Sequence, residues 1–157
     1  MTYHSLSANL NEKVSSAIKE SLLGLAKKYS DKSVYGAIAH ARSTCSGKGI
    51  RTTAKASHLG AQIGINVAGR NLDDRKIDIV WRKLIKRDVP LFIHPPGDRA
   101  TGDRLKDYCL DNFIGNPLES SICTSSLIFG GVFDLLPDIN FSLSLTGYFA
   151  PWIRGRW

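Results

Sequence analysis

The chain has 157 residues, 43% hydrophobic and 22% charged, and no apolar run reaches the roughly 20 residues that a membrane span needs. These values predict one soluble globular domain and exclude a transmembrane protein. The net charge of +7 comes from 21 basic and 14 acidic residues, but the basic residues are scattered and no aromatic-interleaved basic stripe is present. We therefore expect a solvated basic surface rather than a nucleic-acid interface.

The start of the chain lacks a basic segment followed by an apolar one, which predicts no secretory signal and a cytoplasmic location. Cys45, Cys109 and Cys123 are widely spaced and odd in number. This pattern fits neither a disulfide framework nor a CxxC metal or redox motif. We expect reduced cysteines with mainly packing roles.

Helical and strand-like segments alternate along the chain, which is typical of a parallel sheet built from βα units. Asn9 and Glu12 have the spacing of a capping box, and apolar residues then recur at helical intervals as far as about Tyr29. A short apolar strand is predicted over 34–39, followed by a weaker helix over about 50–59.

A second strand is predicted over 62–65, followed by a loop over 66–74. The loop ends in Asp73 and Asp74, which are good N-caps for a helix. The apolar face of that helix carries Ile77, Val80, Trp81 and Leu84. A third strand, starting at Val89, then ends in His94.

A short amphipathic segment over about 105–113 precedes the clearest helix start in the sequence. Asn116 is predicted to be the N-cap, Pro117 the first helical residue and Glu119 the residue that closes the capping box.

The same helix is predicted to continue through the apolar stretch 122–136 and to end before Pro137. Gly130 and Gly131 within it would allow a neighbouring segment to approach closely. A last strand is predicted over 140–145.

His94 is the leading candidate functional residue, because open and barrel-shaped α/β proteins place their chemistry at the carboxyl ends of buried strands. Asn66 follows its own strand and would face the same rim, with turn formation as the alternative. Asp98 and Arg99 lie just beyond His94 and are candidates for contact with a carboxylate substrate, with a surface loop pair as the alternative. His40 also follows a strand, and a plain loop histidine is the alternative there.

Several motifs follow one another along the chain: the stretch 60–74, Trp81, the stretch 90–95, the stretch 115–119, Gly130 to Phe133 with Pro137, the stretch 149–151, and Gly155 with Arg156. In this order they resemble the amidohydrolase-related family, whose best-known branch is aminocarboxymuconate semialdehyde decarboxylase. The resemblance runs from about Ile18 to Trp157, and it indicates the family more strongly than the substrate.

The resemblance implies an α/β fold of the (β/α)₈ TIM-barrel type, with one divalent metal, usually zinc, at the carboxyl ends of its strands. Members of the family use a His-x-His pair on the first strand, the histidine of an HP motif and a late aspartate as metal ligands. A further histidine, in an HGGG-like motif, acts as acid and base. His94 matches the HP histidine, so the resemblance implies that it is a metal ligand.

Three elements of that pattern have no counterpart in this sequence. His4 stands alone near the start rather than in a His-x-His pair, Leu145 occupies the position of the acid/base histidine, and the chain stops at Trp157, before the late aspartate. We therefore expect residues 1–157 to form a single, incomplete domain that lacks the first and last strands of the barrel. One imidazole predicts weak metal binding at most, and no catalytic residue is identified.

Two function classes remain open at this point. One is a metal-dependent carboxy-lyase or hydrolase for a small carboxylic acid, impaired or inactive as this chain. The other is a non-catalytic, truncated remnant that associates with a full-length relative. Because a partial barrel exposes sheet edges, self-association into a homo-oligomer is a further expectation.

Overall fold

The computed structural model of the chain describes residues 8–29, 37–38, 60–67, 69–95 and 102–157. Its first element is helix α1, Ala8–Lys28. The helix ends where predicted, and the backbone N–H of Tyr29 donates to the carbonyl oxygen of Leu25. The predicted cap at Asn9 is wrong, because Asn9 lies inside the first turn and an N-cap residue precedes the helical backbone.

Four of the six described strands form one parallel sheet. In chain order the strands are β1 (Ala37–Ile38), β2 (Ala61–Ile63), β3 (Asn66–Val67), β4 (Arg70–Asn71), β5 (Leu91–Ile93) and β6 (Phe141–Leu143). The sheet has the order β1-β2-β5-β6, and its register aligns Ile63, Ile93 and Leu143. The predicted parallel α/β organisation is therefore confirmed, although the described strands do not close into a barrel. The predicted helix over 50–59 lies outside the described residues.

The stretch 66–74, predicted as a loop, contains a small antiparallel hairpin formed by β3 and β4. The turn places Gly69 at φ +77°, in the left-handed region that glycine adopts readily. The side-chain Oδ1 of Asn66 accepts a 3.2 Å hydrogen bond from the Gly69 backbone N–H. Strands of two residues are too short to produce an alternating pattern, so they leave no periodic signal in the sequence.

Asp74 caps the next helical segment, as predicted. Its carboxylate accepts a 2.9 Å hydrogen bond from the backbone N–H of Lys76, at the start of a 3₁₀ turn, Arg75–Ile77, that leads into helix α2, Asp78–Ile85. This bond, supported by the Arg70 guanidinium at 3.1 Å, lowers the pKa of Asp74 from its usual value. The predicted apolar face is confirmed by the burial of Ile77, Val80, Trp81 and Leu84.

Helix α3, Asn116–Phe129, is continuous with a π-helical turn at Asp111–Gly115, so the predicted N-cap at Asn116 is wrong. Asn116 has helical backbone angles of φ −61° and ψ −44°, and its backbone N–H already donates to the Asp111 carbonyl oxygen. Its side-chain Nδ2 donates to Oδ1 of Asn112 at 3.1 Å. Glu119, predicted to close the capping box, lies inside the helix and is buried.

The helix predicted to run to residue 136 is interrupted by Gly130 and Gly131. Gly131 has φ +67°, which ends α3 and starts the short helix α4, Val132–Leu135. A Cβ atom on Gly130 would lie 2.5 Å from the Cβ of Asp73. The predicted close approach of a neighbouring segment is therefore confirmed. After β6, a 3₁₀ turn (Ser144–Gly147), helix α5 (Ala150–Ile153) and a second 3₁₀ turn (Arg154–Arg156) complete the chain.

The core lies on one side of the parallel sheet. Alternate strand residues, including Ile63, Leu91 and Ile93, are buried together with apolar residues of α2 and α3. On the opposite side of β5, Phe92 is 40% exposed. Among the described helices, none combines the length and apolar character needed to cross a membrane.

Candidate metal-binding rim

His94 follows β5 at the carboxyl end of the sheet, as predicted. Its backbone N–H donates a 3.0 Å hydrogen bond to the carbonyl oxygen of Ile63, which extends the pairing of β2 and β5 by one residue. The side chain is half-buried, and its ring centroid lies 6.2 Å from that of Phe92, with the rings tilted by 39°. Two neighbouring strands therefore position the backbone of this histidine.

Ser144 directly follows the neighbouring strand β6 and lies at the same level as His94, because the register pairs Ile93 with Leu143. Ser144 is only 4% exposed, and its Oγ has no hydrogen-bond partner within the described part of the chain. Buried hydroxyl groups are normally hydrogen-bonded. Sequence reasoning missed this residue, although it follows the same strand-end rule that singled out His94.

The backbone is strained immediately after Ser144. Leu145 has φ +49° and Tyr148 has φ +49°, in a region that side chains other than glycine rarely adopt. The Tyr148 hydroxyl is buried without a hydrogen-bond partner in the described residues, and burial raises its pKa. Strain of this kind concentrates at functional sites, and this segment stands where the resemblance implies an HGGG-like motif.

Leu145 lines a pocket of about 450 Å³ beside the start of α3. Its other lining residues are Asn112, Phe113, Pro117, Tyr148, Phe149 and Trp152. None of the seven carries a charge at neutral pH. Leu145, which is predicted to occupy the position of the acid/base histidine, therefore lines a pocket of mainly aromatic and aliphatic groups. A leucine side chain has no proton to transfer.

The structure describes only part of the predicted substrate-contact set. Asn66 lies on β3, beyond the end of β2, and its Oδ1 accepts the hydrogen bond from Gly69. This hydrogen bond is the one expected if Asn66 forms a turn, which was the alternative to substrate contact. Asp98, Arg99 and His40 lie outside the described residues.

Among the described residues, no three histidine, cysteine, aspartate or glutamate side chains lie together in a way that could hold a metal ion. Burial raises the pKa of Cys123 to about 12, with Asp73 and Glu119 contributing, so this cysteine is a neutral thiol rather than a thiolate ligand. Because catalytic zinc sites usually have three protein ligands, His94 and its described neighbours do not make up such a site by themselves.

Two curated proteins are similar to this chain in sequence. It is 37% identical over 97 residues to 2-amino-3-carboxymuconate-6-semialdehyde decarboxylase of Dictyostelium discoideum, an alignment that covers 62% of this chain and 27% of the relative. It is 25% identical over 115 residues to decarboxylase orsB of Emericella nidulans, covering 68% of this chain and 35% of the relative. The chain thus spans about a third or less of these relatives. No protein-family model matches the sequence.

Solved structures share the fold over nearly the whole chain. For 5-carboxyvanillate decarboxylase LigW of Sphingomonas paucimobilis, the TM-score is 0.87 at 19% identity, covering 96% of this chain and 46% of the enzyme. For 2,6-dihydroxybenzoate decarboxylase from Rhizobium, the TM-score is 0.84 at 16% identity, covering 98% and 51%.

A third structure is a D314N mutant of 5-carboxyvanillate decarboxylase from Novosphingobium aromaticivorans, with bound manganese and 3-methoxy-4-hydroxy-5-nitrobenzoic acid. Its TM-score is 0.79 at 24% identity, covering 92% of this chain and 42% of the enzyme. These similarities agree with the resemblance that the motifs predicted: the chain is similar in sequence to two decarboxylases and shares the fold of decarboxylases of known structure, and it spans about half or less of their length.

Proposed function

We propose that this chain carries part of the active-site rim of a metal-dependent carboxy-lyase or hydrolase, and that it is inactive as a single chain. His94 would supply one ligand to a divalent metal such as zinc or manganese. The observation that carries this proposal is the position of His94 at the carboxyl end of β5, fixed by the hydrogen bond to Ile63.

The proposed substrate is a small aromatic carboxylic acid, as the names of the similar decarboxylases suggest. Asp98 and Arg99 would lie near its carboxylate, and Asn66 would contact it from the end of β2. The Phe92 ring, 6.2 Å from that of His94, would offer an apolar contact to an aromatic ring bound at the rim.

The proposed inactivity follows from the chemistry of the described rim residues. Leu145 cannot exchange a proton, and the Tyr148 hydroxyl, whose pKa is raised by burial, is a poor general base. His94 would therefore have to act both as metal ligand and as base, and a metal-bound imidazole nitrogen is unavailable for proton transfer.

A non-catalytic role is the second candidate function. It is favoured by the 40% exposure of Phe92 on the sheet face opposite the core, since an exposed aromatic ring on a sheet face is suited to covering by another polypeptide. In that case the chain would act as a partner of another copy or of a full-length relative.

Metal content and turnover, measured together on purified protein, test the proposal. The chain would be loaded with zinc or manganese, dialysed, analysed for metal per chain, and assayed for carbon dioxide release from 2,6-dihydroxybenzoate and 5-carboxyvanillate. We expect less than one tightly held metal per chain, a further decrease in His94→Ala, and no turnover. Stoichiometric metal with turnover would contradict the inactivity, and metal content unchanged by His94→Ala would contradict the role of His94.

A further inference from the structure

The sheet face opposite the core, here called the open face, carries the side chains of Gln62, Phe92 and Ser142. These residues share one level of the sheet, because the register pairs Gln62 with Phe92 and Phe92 with Ser142. Phe92 is 40% exposed and Ser142 is exposed, whereas Leu91 and Ile93 on the core side are buried. A strand that is apolar on both faces is typical of parallel sheets that are covered on both sides.

The outer edge of β6 is not paired with any other described strand. The Leu91 N–H donates to the Asn140 carbonyl oxygen at 2.9 Å. Because backbone groups of successive residues in a parallel strand point to opposite neighbours, the groups of Phe141 and Leu143 point away from β5.

A groove of about 440 Å³ runs beside this edge. One wall is β6 itself, and the other is formed by Ala150, Pro151, Arg154 and Trp157. An open backbone edge on one side and mainly apolar side chains on the other is the arrangement that an added β-strand needs. At the opposite end of the sheet, β1 pairs only with β2 among the described strands.

The geometry of the sheet specifies what could occupy both edges at once. All four strands are parallel and follow one another in chain order, so their carboxyl ends lie at one rim. A second copy, rotated by 180° about an axis along the strands, would place its β1 beside β6 and its β6 beside β1. Four strands from each copy make eight, the number in a closed (β/α) barrel, and a two-fold rotation leaves no open edge.

We propose that two copies of this chain associate to close one eight-stranded parallel barrel, with the groove beside β6 of each copy holding β1 of the other. The association would bury Phe92 and bring the His94 rims of both copies to the same end. One copy covers 42–51% of the length of the three solved decarboxylases. This is about the share that one of two equal halves of a barrel would supply. The association of two copies does not depend on the proposed metal chemistry.

The mass of the purified chain in solution tests the proposal. We expect a dimer of about 35 kDa, twice the 17.3 kDa of the chain, by light scattering over a range of concentrations. Ser142→Lys would place a charge inside the closed barrel and should give a folded monomer. Ser16→Lys, at an exposed position of α1, adds the same charge and should remain dimeric.

Arg154→Glu, which alters the groove beside β6, is a second variant in case Ser142→Lys does not fold. The near-ultraviolet circular dichroism of buried Trp81 reports whether each variant keeps the fold. A folded, monomeric variant beside a dimeric Ser16→Lys supports the proposal. A monomeric wild-type chain, dimers that persist in the folded variants, a Ser16→Lys monomer, or species that grow beyond two copies would overturn it.

Discussion

The indole Nε1 of Trp81 donates a 3.1 Å hydrogen bond to the backbone carbonyl oxygen of Leu72, and both residues are completely buried. Leu72 directly follows β4, whereas Trp81 lies in α2, so the bond connects the hairpin to the helix that packs beneath the sheet. Because the core also contains Ile63 and Ile93, the packing around Trp81 supports the two strands that position His94.

Trp81→Phe should destabilise the chain by about 2–4 kcal/mol, because it leaves the Leu72 carbonyl oxygen unpaired and creates a cavity. Urea unfolding followed by circular dichroism measures the change. Trp152→Phe is the matched control, since Trp152 is 87% exposed and its replacement should change the free energy of unfolding by less than about 0.5 kcal/mol. Equal effects of the two substitutions would contradict the structural role of Trp81.

Two glycine-to-alanine substitutions should have opposite signs. A Cβ on Gly130 would lie 2.5 Å from the Asp73 Cβ, so Gly130→Ala must displace one of the two segments and should cost about 1–3 kcal/mol. In α1, Gly24 has open space at its Cβ position, and Gly24→Ala should stabilise the chain by about 0.5–1 kcal/mol. Thermal unfolding of both variants tests this prediction, and a stabilising Gly130→Ala would contradict the close approach.

Thiol labelling should distinguish the two described cysteines. Cys109 is exposed, whereas burial and the nearby charges of Asp73 and Glu119 raise the pKa of Cys123 to about 12. The thiolate is the reactive form, so Cys123 remains almost entirely in its unreactive neutral form at pH 8. In a Cys45→Ser background, iodoacetamide should modify Cys109 rapidly and Cys123 only after unfolding, as mass spectrometry of peptides would show. Rapid labelling of Cys123 in the folded chain would contradict its burial.

The same pKa predicts a loss of stability at alkaline pH. The folded chain holds the Cys123 proton more tightly than the unfolded chain, whose thiol has a pKa near 9, so unfolding becomes easier as the pH rises from about 9 towards 12. Cys123→Ala removes this contribution and should show a smaller decrease in the free energy of unfolding between pH 8 and 10.5. An identical decrease in the two proteins would assign the alkaline effect to other groups.

Sequence patterns located the four strands of the parallel sheet, because their apolar runs are distinct and alternate with helical segments. They also placed Asp74 as a cap, since its effect depends only on the neighbouring Lys76. The Asn116 cap was wrong because the preceding π-helical turn already supplies a carbonyl acceptor for its N–H, which residue type alone does not reveal.

The candidate rim was only partly predictable for a related reason. His94 could be identified by its position after a strand and by the HP motif, both of which are local features. The neighbouring position of Ser144 depends on the register between β5 and β6, whose sequences are separated by the whole of α3. The strained backbone at Leu145 and Tyr148 is likewise not revealed by the identity of those residues, since neither is a residue type that favours positive φ.

Leu145→His tests whether the position after Ser144 still belongs to a metal site. Histidine tolerates the positive φ of Leu145 better than most residues, so the substitution should not unfold the turn. We expect tighter cobalt binding than in the wild-type chain, detected by visible absorption, because a second imidazole would join His94 at the rim. The gain should disappear in the Leu145→His, His94→Ala double variant. Phe149→His places an imidazole elsewhere in the same pocket, and an equal gain there would show that Leu145 does not occupy a ligand-adjacent position.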